Sequence, residues 1–458
     1  MNLLAQQIKF EDTEGLEFPE GQLITEGDEG ESVAAAVAEV TEEEAGIVED
    51  ERQMDELVDG GEALSEVQEV VEDDAPKMEH AGLTPVGARL AKIVLKRVVG
   101  SRYADRTLPK MENFESRADS RTATSFVQEG VSEALRSFWE ALKAQFKKMW
   151  AKVKTWAVKT FSSARAIAER AKTIRGRAES ASATIDKKQF AFGQAKQLVV
   201  NGRLKSASEF STAFDALVGI VEAAHEIETD KAIDALADDM EAIVSGKGEA
   251  GAKIKAVIEK GLGGLARVAS KGQGNVVDSK VAASYGAGEG GQAEVTTSDV
   301  LPGDRAMVLV GSKGEALTAQ DLRMARIAFA NTKNKPKEVG GDVEAVTLNP
   351  SEISNFCNKI ADSADQVADF EQKWQKTDKA QDNVLRKIDQ IVKEGVQDNK
   401  DDDNGTSAKE REIRSYASSA TQFVKRVGGI PAQIAAFALP VYAATLNWCE
   451  GSMRNYKK

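Results

Sequence analysis

The 458-residue chain is long enough for two or three modest domains, and it carries 60 Lys and Arg against 74 Asp and Glu, a net charge of −14. Two histidines and two cysteines, Cys357 and Cys449, exclude a disulfide framework and make a reducing compartment the default; they leave few routes to His- or Cys-based catalysis. The net charge conceals a separation: residues 1–80 hold 26 acidic and three basic residues (−23), whereas residues 89–177 hold 21 basic and 8 acidic residues (+13).

Residues 1–79 form the first region. They are rich in Glu, Asp and Gly and lack Trp and Tyr, so they offer too little apolar area to offset the entropy of ordering. The expectation is a disordered acidic segment, with helical patches around Ser32–Val40 and Ala63–Val71 that form on a partner. The N-terminus lacks the basic start and apolar run of a secretory signal. Residues 80–120 read as a basic linker with a short amphipathic helix over 86–99.

Residues 121–292 are expected to be helical. Leu135, Trp139, Leu142, Phe146, Met149, Val153 and Trp156 step by 4, 3, 4, 3, 4 and 3, which is an apolar helical stripe at a/d-type spacing. Lys143, Lys147, Lys148, Lys152, Lys154 and Lys159 occupy the flanks and back of this helix. Ordinary amphipathic helices follow over 188–245 and at Ala252–Ser270, and Ser284–Gly291 reads as a flexible run. Residues 293–350 change character: Arg305–Val310, Met324–Ala330 and Val343–Leu348 read as three strands of a small β-meander. Residues 351–458 return to helix, with Ser351 as candidate N-cap, a solvated loop at Asp398–Gly405, and a helix over 407–428. The Ala-rich stretch Ile430–Trp448 contains Pro431 and Pro440 and reads as a packed helix pair rather than a membrane span. The fold class is therefore mainly α, with long amphipathic helices, a small inserted β-meander and a disordered acidic N-terminal segment.

Motifs for chemistry are sparse. His80 and His225 have no nucleophile motif nearby, and His225 reads as an ordinary packed or surface histidine. No Cys/His cluster has zinc spacing. Gly311-Ser312-Lys313-Gly314 lacks the phosphate-loop pattern and reads as a turn. Placing Gly405 sixth in a calcium loop puts Lys400 first and Arg411 twelfth, where carboxylates are needed. The expectation is no enzyme, no cofactor and no metal.

The Trp/Lys helix holds most of the functional content. It can be a core- or oligomer-facing helix with a solvated basic back. Its lysines can contact nucleic-acid phosphates. Its aromatic and basic faces also suit a membrane surface. The acidic segment can be a solubilising tail, or an intramolecular mask that competes with polyanions for the basic region.

The stretch Leu108 to about Arg177, LPKMENFESRADSRTATSFVQEGVSEALRSFWEALKAQFKKMWAKVKTWAVKTF and onward, resembles the internal head (inner capsid) proteins of large contractile-tailed bacteriophages. An ENF-type element, a linker, a QEGVSEAL helix start and a long Trp/Phe/Lys helix carry the likeness. The resemblance implies a virion structural protein, made in the bacterial cytoplasm with a propeptide and kept in the capsid interior. Its partners would be capsid or scaffold proteins, a prohead protease, packaged DNA and further copies of itself. Such proteases cut after Glu in a (Leu/Ile)-x-Glu setting. Ile47-Val48-Glu49 and Leu64-Ser65-Glu66 match, Ile24-Thr25-Glu26 matches, and Lys77-Met78-Glu79 departs at its first position, making Glu49, Glu66 and Glu79 the candidate processing sites. Ile167-Ala168-Glu169 and Ile220-Val221-Glu222 match inside predicted helices that shield them. The alternatives are an effector injected into the host that acts on a membrane or host protein, and a non-viral scaffold or interaction protein.

Overall fold

The computed structural model describes residues 39, 40, 43, 46, 47, 50 and 53, and then 117–181, 184–204, 206–244, 250–269, 276–278, 293–312, 319–333, 343–397 and 406–456. Its helices are α1 (Arg117–Glu179), α2 (Ala207–Glu226), α3 (Thr229–Val244), α4 (Ala250–Ala269), α5 (Ala319–Met324), α6 (Pro350–Gln397) and α7 (Thr406–Met453). Its strands are β1 (Gln189–Phe192), β2 (Ala293–Thr297), β3 (Arg305–Ser312), β4 (Arg326–Asn331) and β5 (Val343–Val346). The fold is mainly helical, as the sequence pattern predicts, and carries two small antiparallel sheets where one meander was expected.

The described residues form two compact units. The larger takes in Thr155–Ile388 and Ser419–Lys458 together with the described residues of Met1–Ala45. Its centre is α7, whose residues from Ser419 onward are buried on almost every face, the pattern of a helix enclosed by others. Trp448, Tyr442 and Phe423 of α7, Phe210 and Phe214 of α2, and Phe356 and Phe370 of α6 are among its largest fully buried side chains. Phe210 meets both Phe356 and Trp448 edge to face, each with ring centroids 5.4 Å apart. Each such ring contributes roughly 1.5–3 kcal/mol through burial. Helix α1 runs antiparallel to α6, because Lys172 pairs with Asp365 (3.3 Å) and Arg175 with Asn358 (2.7 Å) as one number rises and the other falls. Small residues let α4 close in: a Cβ on Gly261 would stand 3.0 Å from Val427 of α7, and one on Gly264 would stand 3.3 Å from the Ala223 carbonyl of α2.

The smaller unit takes in the described residues of Gly46–Lys154 and Asp389–Ser418. Within it Phe146 stacks on Trp150, centroids 6.4 Å apart, and the Lys143 ammonium of α1 bonds Asp389 of α6 at 2.8 Å.

Four local expectations need correction. The meander consists of β2, β3 and β4, in that order, and it packs against α4. Its first strand is Ala293–Thr297, and Val343–Leu348 does not join it. Instead β5 pairs antiparallel with β1, Gln189 opposite Val346, which places a strand inside the stretch read as helical. The C-terminal residues fix that pairing: the Trp448 indole N–H donates to the Val346 carbonyl (2.8 Å) and the Leu348 N–H donates to Ser452 Oγ (3.0 Å).

The N-cap of α6 is Asn349 rather than Ser351. Its Oδ1 accepts the Glu352 N–H at 2.9 Å while the Glu352 carboxylate accepts the Asn349 N–H at 2.8 Å. Two donors are thereby satisfied reciprocally, and Pro350 takes the first helical position, where it needs no donor. Finally, α7 is one helix through Pro431 and Pro440, not a helix pair. Each proline removes one backbone bond, and packing on nearly all sides holds the helix together across both. The stretch Ser415–Met453 is long and apolar enough to cross a membrane, yet nearly all of its most apolar window is buried inside the protein. The runs Ser284–Gly291 and Asp398–Gly405 lie outside the described residues.

Candidate functional site

Periodicity makes α1 amphipathic, and its burial follows that pattern. Phe146 (1% exposed), Met149, Val153 and Trp156 (2%) are buried, and so are Trp150, Ala157 and Phe161 beside them. The side chains of Leu135, Trp139 and Leu142 lie outside the described residues. With the aromatic face covered by protein, the lysines are left on the remaining faces. Lys147, Lys148, Lys152 and Lys154 are exposed, and Lys143 and Lys159 are half-buried.

The lysines differ in what engages them. Lys143 is held by Asp389 and Glu140, both at 2.8 Å. Burial alone would lower its pKa, but those two hydrogen bonds outweigh burial and raise it. Lys152 and Lys159 meet carboxylates of the acidic segment. The Lys159 ammonium donates to Glu39 and Glu43, each at 2.5 Å, and Lys152 pairs with Asp50 at 2.5 Å. The hydrogen bonds it donates to Glu39 and Glu43 raise the Lys159 pKa above its ordinary 10.5. Lys147 and Lys148 form the exposed edge between these anchored positions.

All seven described residues between 39 and 53 are helical. They lie three to four positions apart in pairs and singles, which is one helical face. Val40 (2% exposed), Ile47 (7%) and Asp50 (4%) are buried. The Trp156 indole N–H donates to the Val40 carbonyl at 2.9 Å. Of the patch expected around Ser32–Val40, Glu39 and Val40 are the described residues, and both meet α1. Glu39, Glu43 and Asp50 were not singled out by their sequence, although an apolar pair seven apart, Val40 and Ile47, flanked by Glu39, Glu43 and Asp50, is a signal for one packed, charged helical face.

Glu49, Glu66 and Glu79 lie outside the described residues. Glu169 lies in α1 and Glu222 in α2, each next to fully buried residues such as Ile167 and Ile220. His80 is outside the described residues; His225 is half-buried on α2 and stacks on Phe370, centroids 6.0 Å apart. Burial, with a smaller push from Lys373, lowers its pKa below 6.5. Cys357 and Cys449, far apart in sequence, are both fully buried, and their thiols hydrogen-bond. Burial first, and then that bond, pushes the Cys449 thiol well up, so neither its exposure nor its acidity suits a nucleophile. Among the described residues no group of three or more His, Cys, Asp or Glu could hold a metal ion.

A family model described as phiKZ-like phage internal head proteins matches residues 26–451 of this chain. No curated protein and no solved structure matches it.

Proposed function

The chain belongs to the phiKZ-like phage internal head proteins, structural components inside the virion head, and from that premise we propose that it is packaged with the DNA after removal of its acidic N-terminal segment by the prohead protease. The observation that carries this reading is the placement of charge on α1. The aromatic stripe is buried, while Lys147, Lys148, Lys152 and Lys154 remain exposed on a helix within the +13 stretch. Such an edge suits phosphates, and each phosphate neutralised adds a salt-sensitive increment to binding. The same burial weighs against α1 as a membrane-surface helix, because Trp150 and Trp156 are already covered by protein.

The candidate cleavage positions are not equivalent. A cut after Glu49 breaks the bond to Asp50, which is helical and buried. Proteases need locally open backbone, which disfavours Glu49 and leaves Glu66 and Glu79 as the candidates. Either cut would remove most of the acidic charge, and the family's structural character accords with a role without catalysis.

Intact-mass spectrometry of the protein from purified virions tests this reading. The expected chain begins at Val67 or His80. Recovery of residues 1–60 intact in mature particles would sink the processing step.

A further inference from the structure

The contacts made by the acidic segment define a surface and its occupant. In the smaller unit Asp50 sits on Lys152 (2.5 Å) and Gln53 on Gln145 (3.4 Å). In the larger unit Glu39 and Glu43 share Lys159, and the Val40 carbonyl takes the Trp156 N–H. Within the smaller unit the partner number falls from 152 to 145 as the segment's own number rises from 50 to 53, so the segment there runs antiparallel to α1. Val40 and Ile47 supply buried apolar anchors, and the carboxylates supply register. Two of the six lysines placed on the basic face therefore meet carboxylates of this same segment.

We propose that the stretch around residues 39–53 is a built-in competitor for the α1 lysine edge, its carboxylates standing where the phosphates of a polyanion would stand. The proposal rests on the polyanion reading above and adds its regulation. In the uncut chain the competitor is tethered, so its effective concentration is high whatever the protein concentration. A cut after Glu66 or Glu79 leaves it bound only by its own contacts, and dilution then empties the lysine edge. Cleavage thus switches the surface on without moving α1.

The test measures binding of a mixed-sequence DNA duplex to the full-length chain and three full-length variants, with circular dichroism confirming that the helical body is retained. Val40→Asp makes the chain more acidic but removes an apolar anchor. The combined variant Glu39→Gln, Glu43→Gln, Asp50→Asn removes the carboxylates that face Lys159 and Lys152. Glu11→Gln, Asp12→Asn, Glu14→Gln makes the same change in net charge elsewhere in the acidic segment. Release of a tethered competitor predicts roughly tenfold tighter binding for the first two variants, and a smaller gain for the third. Val40→Asp is decisive, because simple charge repulsion predicts weaker binding for it. Weaker or unchanged binding by Val40→Asp, or equal gains from the two triple variants, overturns the competitor and leaves the polyanion reading standing. If neither the full-length chain nor any variant binds DNA at low salt, the polyanion reading itself fails, and the competitor fails with it.

Discussion

Helices α1 and α7 are both long, yet their burial differs, and the difference separates what holds this protein together from what it presents. From Ser419 onward α7 is enclosed on nearly every side, and two of its buried hydroxyls pair internally: the Thr445 hydroxyl donates to the Val441 carbonyl at 2.7 Å, and Ser452 accepts the Leu348 N–H. Helix α1 buries one stripe and leaves a lysine edge outside. A helix apolar all round is consumed by the core, whereas a striped one keeps a face for something else. Substitutions should therefore cost stability on α7 and leave it nearly untouched on the lysine edge of α1.

The largest effect is expected at Trp448. Its ring is fully buried against Phe210 and Phe356, and its N–H holds the Val346 carbonyl of β5. Trp448→Ala leaves a cavity and a carbonyl without its donor, which together cost about 3–5 kcal/mol. Denaturant unfolding measures this. A loss below about 1 kcal/mol, the level of ordinary surface changes, would show that α7 is not the core helix.

Within α7 itself, two neighbouring glycines sharpen the contrast. A Cβ on Gly428 would collide with the Gln381 side-chain amide of α6, which donates to the Val424 carbonyl at 3.3 Å. A Cβ on Gly429 meets only Gln433, at 3.8 Å. Gly428→Ala should destabilise by about 1–3 kcal/mol through overpacking. Gly429→Ala should be neutral or stabilising by up to about 1 kcal/mol, since alanine is the better helix former. Thermal unfolding of the pair reads the difference, and equal shifts would deny the close approach of α6 to α7.

These contrasts mirror what could be read from the sequence. The stripe on α1 and the long apolar run of α7 repeat locally, so both were legible from spacing alone. The pairing of β1 with β5 was not, because QFAF is four residues long and its partner lies far along the chain. A short strand of that kind is defined by its neighbour, not by its own pattern. The prolines of α7 misled for a related reason: local preference argues for a break, and enclosure by the rest of the unit decides otherwise. At the candidate site the six lysines were legible as a basic face. Which of them are already engaged was not, since Glu39, Glu43, Asp50 and Asp389 reach them from distant segments.

The smallest stability effect is expected where the functional effect should be clearest, at Lys147 and Lys148. Both are exposed on α1, away from the buried stripe. The double variant Lys147→Ala, Lys148→Ala should shift stability by no more than about 0.5 kcal/mol, because a surface lysine gives up little on truncation. If both lysines touch phosphates, the slope of log affinity for DNA against log salt should fall by about 0.9 for each, or roughly two in all. Lys159 provides the internal comparison. Its hydrogen bonds to Glu39 and Glu43 raise its pKa, so its contribution to docking is fully present below pH 10.5 and is lost as pH rises through the elevated value. Lys159→Ala in the full-length chain removes a cation that is already neutralised, so it should change the salt slope less than loss of Lys147 and Lys148. An equal change per lysine would mean that engagement by the acidic segment does not matter to binding, and that α1 presents one uniform basic face rather than an edge partly occupied by its own chain.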